Sequence, residues 1–297
     1  MTAPSETRAP ALESTYKARA VESLLDVYFY RKVGYQLALF FARLKMTPAQ
    51  VTLAGGALGI AAGHLYYYRD LRLNLLGMGL HVLSNAFDNA DGQLARLTNR
   101  GSRTGRALDG LVDNLVFASV YVHLCLRYIA SGGSQLVWLL AIAAGASHSL
   151  QSSAADYYRN AWLHFAEEKK GAELDSSSGL ESEYDQLSWR EEPMKKFLSR
   201  LYLNYTRQQE WLAPRLHELR HKAVPPDDER IAQAYREASR RFLPWLNLLA
   251  TNPRMILLFV LLFAGQSIWY FVLELTLFNL LLVVLLREEN AVCRRLL

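Results

Sequence analysis

Residues 87–114 read FDNADGQLARLTNRGSRTGRALDGLVDN. Apolar stretches flank them on both sides, so Asp88, Asp91, Asp109 and Asp113 stand at the edge of hydrocarbon. An ionised carboxylate costs about 2.5–3.5 kcal/mol at a bilayer centre even on insertion-based scales. Four together need cations, partners or both. Placed on helices, Asp88 and Asp91 share a face with Gly92, Ala95 and Arg96, while Gly105, Asp109 and Asp113, spaced by four, form a second stripe. The short basic loop between them folds the two stripes toward each other.

Working outward, the spacing predicts an all-α, polytopic membrane helical bundle. The chain has 297 residues, 51% of them hydrophobic, and a net charge of +5, a balance that fits a bundle carrying polar segments at its ends. About six crossings are expected: 48–68, about 74 into the aspartates, about 107–126, about 135–158, and two within 252–289 with a turn near residues 265–269. Thr47 is a natural N-cap with Pro48 at the first helical position, and Gly55, Gly56, Gly59 and Gly63 give the first span a small-residue face. The 255–286 block would reach about 48 Å as one helix, beyond a bilayer of about 30 Å, which requires the turn. Lys and Arg concentrate before span one, between spans two and three and after span six, so the termini and the aspartates face the cytoplasm.

The chain divides into an N-terminal tail and interfacial amphipathic helix (1–45), four spans carrying the aspartates (46–160), a charged cytoplasmic helical insertion (161–250) and two last spans with a short tail (251–297). In the insertion, SSSG at 176–179 reads as a flexible loop and Pro225–Pro226 as a break. Cys125 and Cys293 are too few and too far apart for a disulfide framework. Residues 1–20 hold no continuous apolar core of the kind a secretory signal needs, and no nucleic-acid motif is present.

Oxygen-only ligands without His or Cys suit Mg²⁺, Mn²⁺ or Ca²⁺ rather than zinc. Carboxylate-held Mg²⁺ completes its shell with water and substrate phosphate, so the cluster suits a phosphate-bearing substrate at the membrane surface. An ion-coupled transporter, or salt bridges to the nearby arginines, are the competing readings of the same spacing.

The pattern Asp88-x-x-Asp91-Gly92-x-x-Ala95-Arg96, eight residues, Gly105-x-x-x-Asp109-x-x-x-Asp113 resembles the signature of the CDP-alcohol phosphatidyltransferases, with all eight residues present. The resemblance covers roughly 45–160 and 250–290. Residues 47–52, TPAQVT, also resemble the family's entry to its first span, with Ala49 where Asn is usual. The resemblance implies that an alcohol attacks a CDP-linked donor and CMP leaves. By motif matching, Asp88, Asp91, Asp109 and Asp113 would hold the ions. Asp113 would also be the base, and Gly92, Ala95, Arg96 and Gly105 would shape the nucleotide site. A bilayer-embedded homodimer in a bacterial inner membrane is expected.

Span four ends HSLQSSAADYYRN, where His148, Gln151, Ser152, Ala155, Asp156 and Arg159 share a helical stripe. Such polar density in a span reads as an acceptor pocket, with Arg159 clasping a phosphate, or as interhelical hydrogen bonding. Glu274, in the last span, is either paired in the bundle or near the far turn. The text around the motif looks nearest to enzymes making inositol-type lipids. A donor such as CDP-diacylglycerol and an inositol phosphate acceptor are therefore expected, with a CDP-aminoalcohol phosphotransferase as the alternative.

Overall fold

The computed structural model describes residues 21–165, 174–222 and 229–297. The first part of the expected N-terminal helix and the Pro225–Pro226 break lie outside the described residues. Among the described residues the fold is helical throughout: α1 (Arg31–Arg43, entered through a π turn at Asp26–Tyr30), α2 (Pro48–Leu65), α3 (Leu71–Leu97), α4 (Arg103–Ala130), α5 (Val137–His164), α6 (Ser177–Gln186), α7 (Pro193–Leu212), α8 (Pro214–Lys222), α9 (Glu229–Ser239), α10 (Leu243–Leu248), α11 (Thr251–Phe263), α12 (Trp269–Leu273) and α13 (Asn279–Leu296).

Among the described residues, three helical stretches are long and apolar enough to cross a membrane: Arg103–Ala130, Glu229–Phe263 and Trp269–Leu296. The other expected spans are helical but more polar or shorter. The helix α2 has 18 residues, α3 carries Asp88 and Asp91, and the second half of α5 carries the polar stripe. Chain reversal comes where expected, with α11 ending at Phe263, Gly265 at φ 68° and helix resuming at Trp269. The last helix runs on to Leu296, well past Glu289, because its final turns pack on α8 and α9. SSSG is not a loop. Ser176 caps α6 by accepting from the Gly179 amide at 3.3 Å, so these serines start a helix.

The centre of the bundle is a seam of glycines. Thr47 and Gln50 form a capping box at the start of α2, with bonds of 3.3 and 2.8 Å, and Pro48 takes the first helical position. From that end α2 lies along both α3 and α4. A Cβ built on Gly55 would fall 2.8 Å from Phe87 Cβ, one on Gly59 2.6 Å from Val116, and one on Gly63 2.8 Å from the Val120 backbone nitrogen. A Cβ on Gly56 would collide with Val112. Without side chains there, helix backbones approach closely enough for the Ser84 hydroxyl to donate to the Gly55 carbonyl (2.8 Å) and the Ser119 hydroxyl to the Ile60 carbonyl (2.9 Å). Helix α1 lies across α3 through Ala38, Phe41, Ala90 and Leu94, and Gln93 donates to the Arg31 carbonyl at 3.0 Å.

The insertion is docked in two ways. Its second half, α8 to α10, shares an apolar core with α5 and α13 through Tyr157, Tyr158, Leu216, Leu219, Tyr235, Leu246 and Leu285. Its first half, α6 and α7, buries Leu180, Leu198 and Leu203 and also makes polar contacts to α4. Asp175 accepts from Arg103 (2.8 Å), Arg106 (3.1 Å) and the Tyr202 hydroxyl (2.9 Å). Burial works against the Asp175 charge, but the Tyr202 hydroxyl and the two guanidinium groups outweigh it and hold the carboxyl below its usual range. A carboxylate so held contributes to docking across the neutral range and gives that contribution up only in acid.

The seam makes a direct prediction. Gly63→Ala presses a methyl against Val120 backbone and should destabilise the protein by about 1–3 kcal/mol, the usual cost of overpacking. Gly79→Ala, whose Cβ meets nothing within 4 Å, should be neutral or slightly stabilising. Thermal melting of both in one detergent checks this; a Gly63→Ala protein melting with wild type would show that the seam relaxes.

Candidate functional site

The site assembles where the start of α2, the end of α3 and the start of α4 meet. The turn between α3 and α4 is tight: Asn99 adopts φ 52°, a left-handed conformation Asn tolerates, and the Arg100 amide donates back to the Ala95 carbonyl at 2.9 Å. Ser102 then caps α4 by accepting from the Gly105 amide at 3.0 Å. The two aspartate stripes are thereby set face to face.

Asp88, Asp91 and Asp109 converge, each offering a carboxylate oxygen, and all three oxygens lie within 4.8 Å of one another. Asp91 is buried, whereas Asp88 and Asp109 are partly open. Asp113 stands apart from that trio, one turn farther along α4. It lines the same cavity with Thr52, Ser84 and Val116, and it is exposed. The Thr52 hydroxyl donates to Asp91 at 2.5 Å and also lies 3.0 Å from the Pro48 carbonyl, fixing the orientation of the buried carboxylate. Thr52 escaped the sequence reading. Its signal was present, as the one hydroxyl on the Gly/Ala-rich helix α2.

Gly92, Ala95 and Gly105 of the motif are partly buried and lie outside the lining of that cavity. A Cβ on Gly92 would lie 3.6 Å from the Arg96 guanidinium, so that cation rests against the glycine on the α3 side. The Gly105 amide is committed to Ser102, and a Cβ there would lie 3.1 Å from Ser102 Oγ. Ala95 closes the turn through its carbonyl. The donor set is oxygen only, and its oxygen–oxygen separations compare with the roughly 4 Å across the ligand shell of a Mg²⁺-sized ion bonded at 2.0–2.1 Å. The residues present therefore fit a hard divalent cation.

The stripe expected to form one acceptor pocket is distributed. Gln151 is fully buried: its amide nitrogen donates to the Glu274 carbonyl (3.0 Å) and to Asn279 Oδ1 (2.8 Å), and its oxygen accepts from Arg254 at 2.7 Å. Arg254 also makes an ion pair with Glu274, both groups wholly buried, and stacks on Phe278 at 4.8 Å. Glu274 is thus paired in the bundle, and Gln151 belongs to this interior tie rather than to a pocket. His148 meets the Tyr121 hydroxyl at 3.1 Å and the Phe117 ring at 4.1 Å. It lines an apolar cavity of about 300 Å³ between α4 and α5, which also takes in Asn114, Trp138 and Ile142. Asp156 turns toward the insertion, accepting from the Tyr205 hydroxyl at 3.3 Å and Gln209 at 3.2 Å. Arg159 is partly exposed, its Nε donating to the Ala155 carbonyl of its own helix at 3.2 Å.

Comparison with known proteins matches the segment that builds this site. Residues 45–160 match the family model described as CDP-alcohol phosphatidyltransferase. A phosphatidylinositol phosphate synthase of Streptomyces avermitilis is 30% identical over 126 residues, which are 41% of this chain and 50% of that relative. The chain thus spans half the length of the curated relative it matches. The matched segment runs from the Thr47–Pro48 cap through both aspartate stripes to the end of the α5 stripe, and over this part the chain is similar to the CDP-alcohol phosphatidyltransferases.

Proposed function

We propose that this membrane protein transfers a phosphatidyl group from CDP-diacylglycerol to the hydroxyl of a phosphate-bearing alcohol, releasing CMP. The observation that carries the reading is the convergence of Asp88, Asp91 and Asp109 with Asp113 one turn away in the same cavity. The relative's name supports an inositol phosphate as the acceptor. In this reading six helices cross the bilayer, α1 lies in the cytoplasmic interface, and the site opens to the cytoplasm.

Asp88, Asp91 and Asp109 would hold one or two Mg²⁺ or Mn²⁺ ions. Bound there, the metal neutralises charge that grows on the departing phosphate. The chain's own residues do the rest. The Thr52 hydroxyl holds Asp91 in place, and the small residues Gly92, Ala95 and Gly105 leave room for the nucleotide, with Arg96 beside it. Asp113, exposed and outside the trio, takes the proton from the acceptor hydroxyl. That oxygen forms the new bond to the lipid-linked phosphorus, and the bond from this phosphorus to the CMP oxygen breaks. The cavity beside Asn114 and His148 gives an acyl chain an apolar place within reach of the site. Arg159 is proposed for the phosphate of the acceptor, with Asp156 positioned by α7.

CMP release by purified protein supplied with CDP-diacylglycerol and inositol 1-phosphate tests the reading. EDTA should silence it, Mg²⁺ or Mn²⁺ should restore it, and Zn²⁺ should substitute poorly. Full release after exhaustive chelation would refute a metal-centred site. Asp113→Asn, nearly isosteric but without basicity, should abolish turnover while CDP binding persists; near-normal release would remove Asp113 as the base.

Arg159→Ala should raise KM for a phosphate-bearing acceptor about ten- to a hundredfold, the range of a charge-assisted hydrogen bond worth about 1.5–3 kcal/mol. Arg159→Lys should recover part of the loss, since the planar fork is absent. Loss of CDP-diacylglycerol binding instead would move Arg159 to the donor side.

A further inference from the structure

Arg103 and Arg106 stand on the first turn of α4, flanking Gly105 of the motif. Arg106 is three residues before Asp109 and seven before Asp113, on the same helical stripe, so it rises about 4.5 Å above Asp109 along the axis. Both arginines point their Nη2 atoms at one carboxylate: Arg103 at Asp175 Oδ1 (2.8 Å) and Arg106 at Oδ2 (3.1 Å). The Tyr202 hydroxyl, from α7, donates to Oδ2 at 2.9 Å, and its ring lies 5.5 Å beneath the Arg106 guanidinium. Glu183 pairs with Arg103 as well, and Arg220 donates to the Asp175 carbonyl at 2.9 Å. The Asp175 side chain is only 17% exposed.

Two guanidinium groups and a phenol around one oxyanion form the donor set that a phosphate takes, and Arg is the side chain whose forked geometry suits it. The contact is also built to part. Leu180, Leu198 and Leu203 of α6 and α7 lie outside the apolar core that ties α8 to α10 onto α5 and α13. Those leucines are buried in their own right and Leu212, at the end of α7, packs against that core, while ion pairs and hydrogen bonds join the first half of the insertion to the start of α4. These polar contacts can be exchanged for others without exposing that core.

We propose that Arg103, Arg106 and Tyr202 form a phosphate subsite at the mouth of the aspartate cavity, which Asp175 fills as an internal anion until a substrate phosphate displaces it. The inference rests on the proposed reaction for its choice of ligand, a phosphate group of either the acceptor or the donor. A phosphate monoester carries about −1.5 to −2 at neutral pH against −1 for the carboxylate, which favours exchange. The tether opposes it by presenting Asp175 at an effective concentration in the millimolar range. The subsite thus couples the arrival of substrate to release of α6 and α7 from α4.

Hydrogen exchange on the full-length protein in nanodiscs tests this without turnover, so its failure is separate from failure of the proposed reaction. Inorganic phosphate should raise amide exchange in α6 and α7 severalfold and saturably, and chloride at equal ionic strength should not. Asp175→Asn should raise that exchange before any anion is added and tighten phosphate binding by on the order of tenfold, as expected when a charged competitor is lost. Arg103→Gln with Arg106→Gln, shown to be folded by melting, should lose the phosphate response. Glycerol 3-phosphate acting in place of phosphate assigns the subsite to the acceptor, and CDP acting so assigns it to the donor. Phosphate that does no more than chloride to the wild type overturns the proposal. So does an Asp175→Asn protein that binds phosphate no more tightly, which would make the carboxylate a structural tie.

Discussion

The close approach of α2 to α3 and α4 is the constraint on which the rest of the structure depends. Glycines at 55, 56, 59 and 63 put the α2 backbone where side chains would otherwise stand, with Val112, Val116 and Val120 of α4 against it. Such contact rests on van der Waals packing between backbones and on hydrogen bonds like those of Ser84 and Ser119. The aspartates are carried by the same turns. Val112 and Val116 bracket Asp113, and Phe87, against Gly55, precedes Asp88. The distance between the two acidic stripes is therefore set by glycine, and displacing α4 by the width of a methyl would reach the carboxylates directly.

The bundle handles buried charge in two opposite ways. Arg254 and Glu274 neutralise each other, Gln151 and the Leu249 carbonyl accept from the guanidinium, Asn279 accepts from Gln151, and the second Glu274 oxygen lies 3.9 Å from His148 Nδ1. A pair of this kind contributes less to stability than to register, because desolvation offsets most of the attraction. It fixes α5, α11 and the last helix to one another near the π turn Glu274–Phe278. The acids at the mouth have no such internal balance. Arg96 beside Gly92 is one cation for four carboxylates, and Arg103 and Arg106 are turned to the insertion. The same residue types thus build a closed tie at one place and, at another, a carboxylate cluster that could hold a metal ion.

What was legible in the sequence follows from distance along the chain. The acid stripes, the Thr47 cap and the turn at Gly265 depend on neighbours within a few residues or across one short loop, so local periodicity carries them. The Arg254–Gln151–Glu274 tie joins residues 103 and 123 positions apart, which no local pattern encodes, and Gln151 was accordingly read as part of a pocket. Ser176 was misread because serine favours both loops and helix caps, and only the Gly179 amide decides between them. The end of the last helix was placed early because the polar stretch REEN, at 287–290, follows an apolar run of membrane-spanning length. In the fold, Glu289 instead meets Ser239 at 2.9 Å, and the helix continues into the core of the insertion.

That shared core decides how the insertion can act. Had residues 174–222 closed around apolar residues of their own, they would sit as an appended domain with no bearing on the mouth. Instead α8 to α10 are welded to α5 and α13, while α6 and α7 reach back across the ends of α4 and α5 through Asp175, Glu183, Tyr205 and Gln209. One half is anchored by burial, which is non-directional and costly to undo; the other buries Leu198 and Leu203 and adds charges and hydrogen bonds to α4, the contacts that the proposed phosphate would replace. An element fixed at one end and exchangeable at the other moves about its anchor. The polar end here lies over the α4 turn that carries Gly105 and leads into Asp109, so any such movement alters access to the carboxylates while leaving the glycine seam beneath them unchanged.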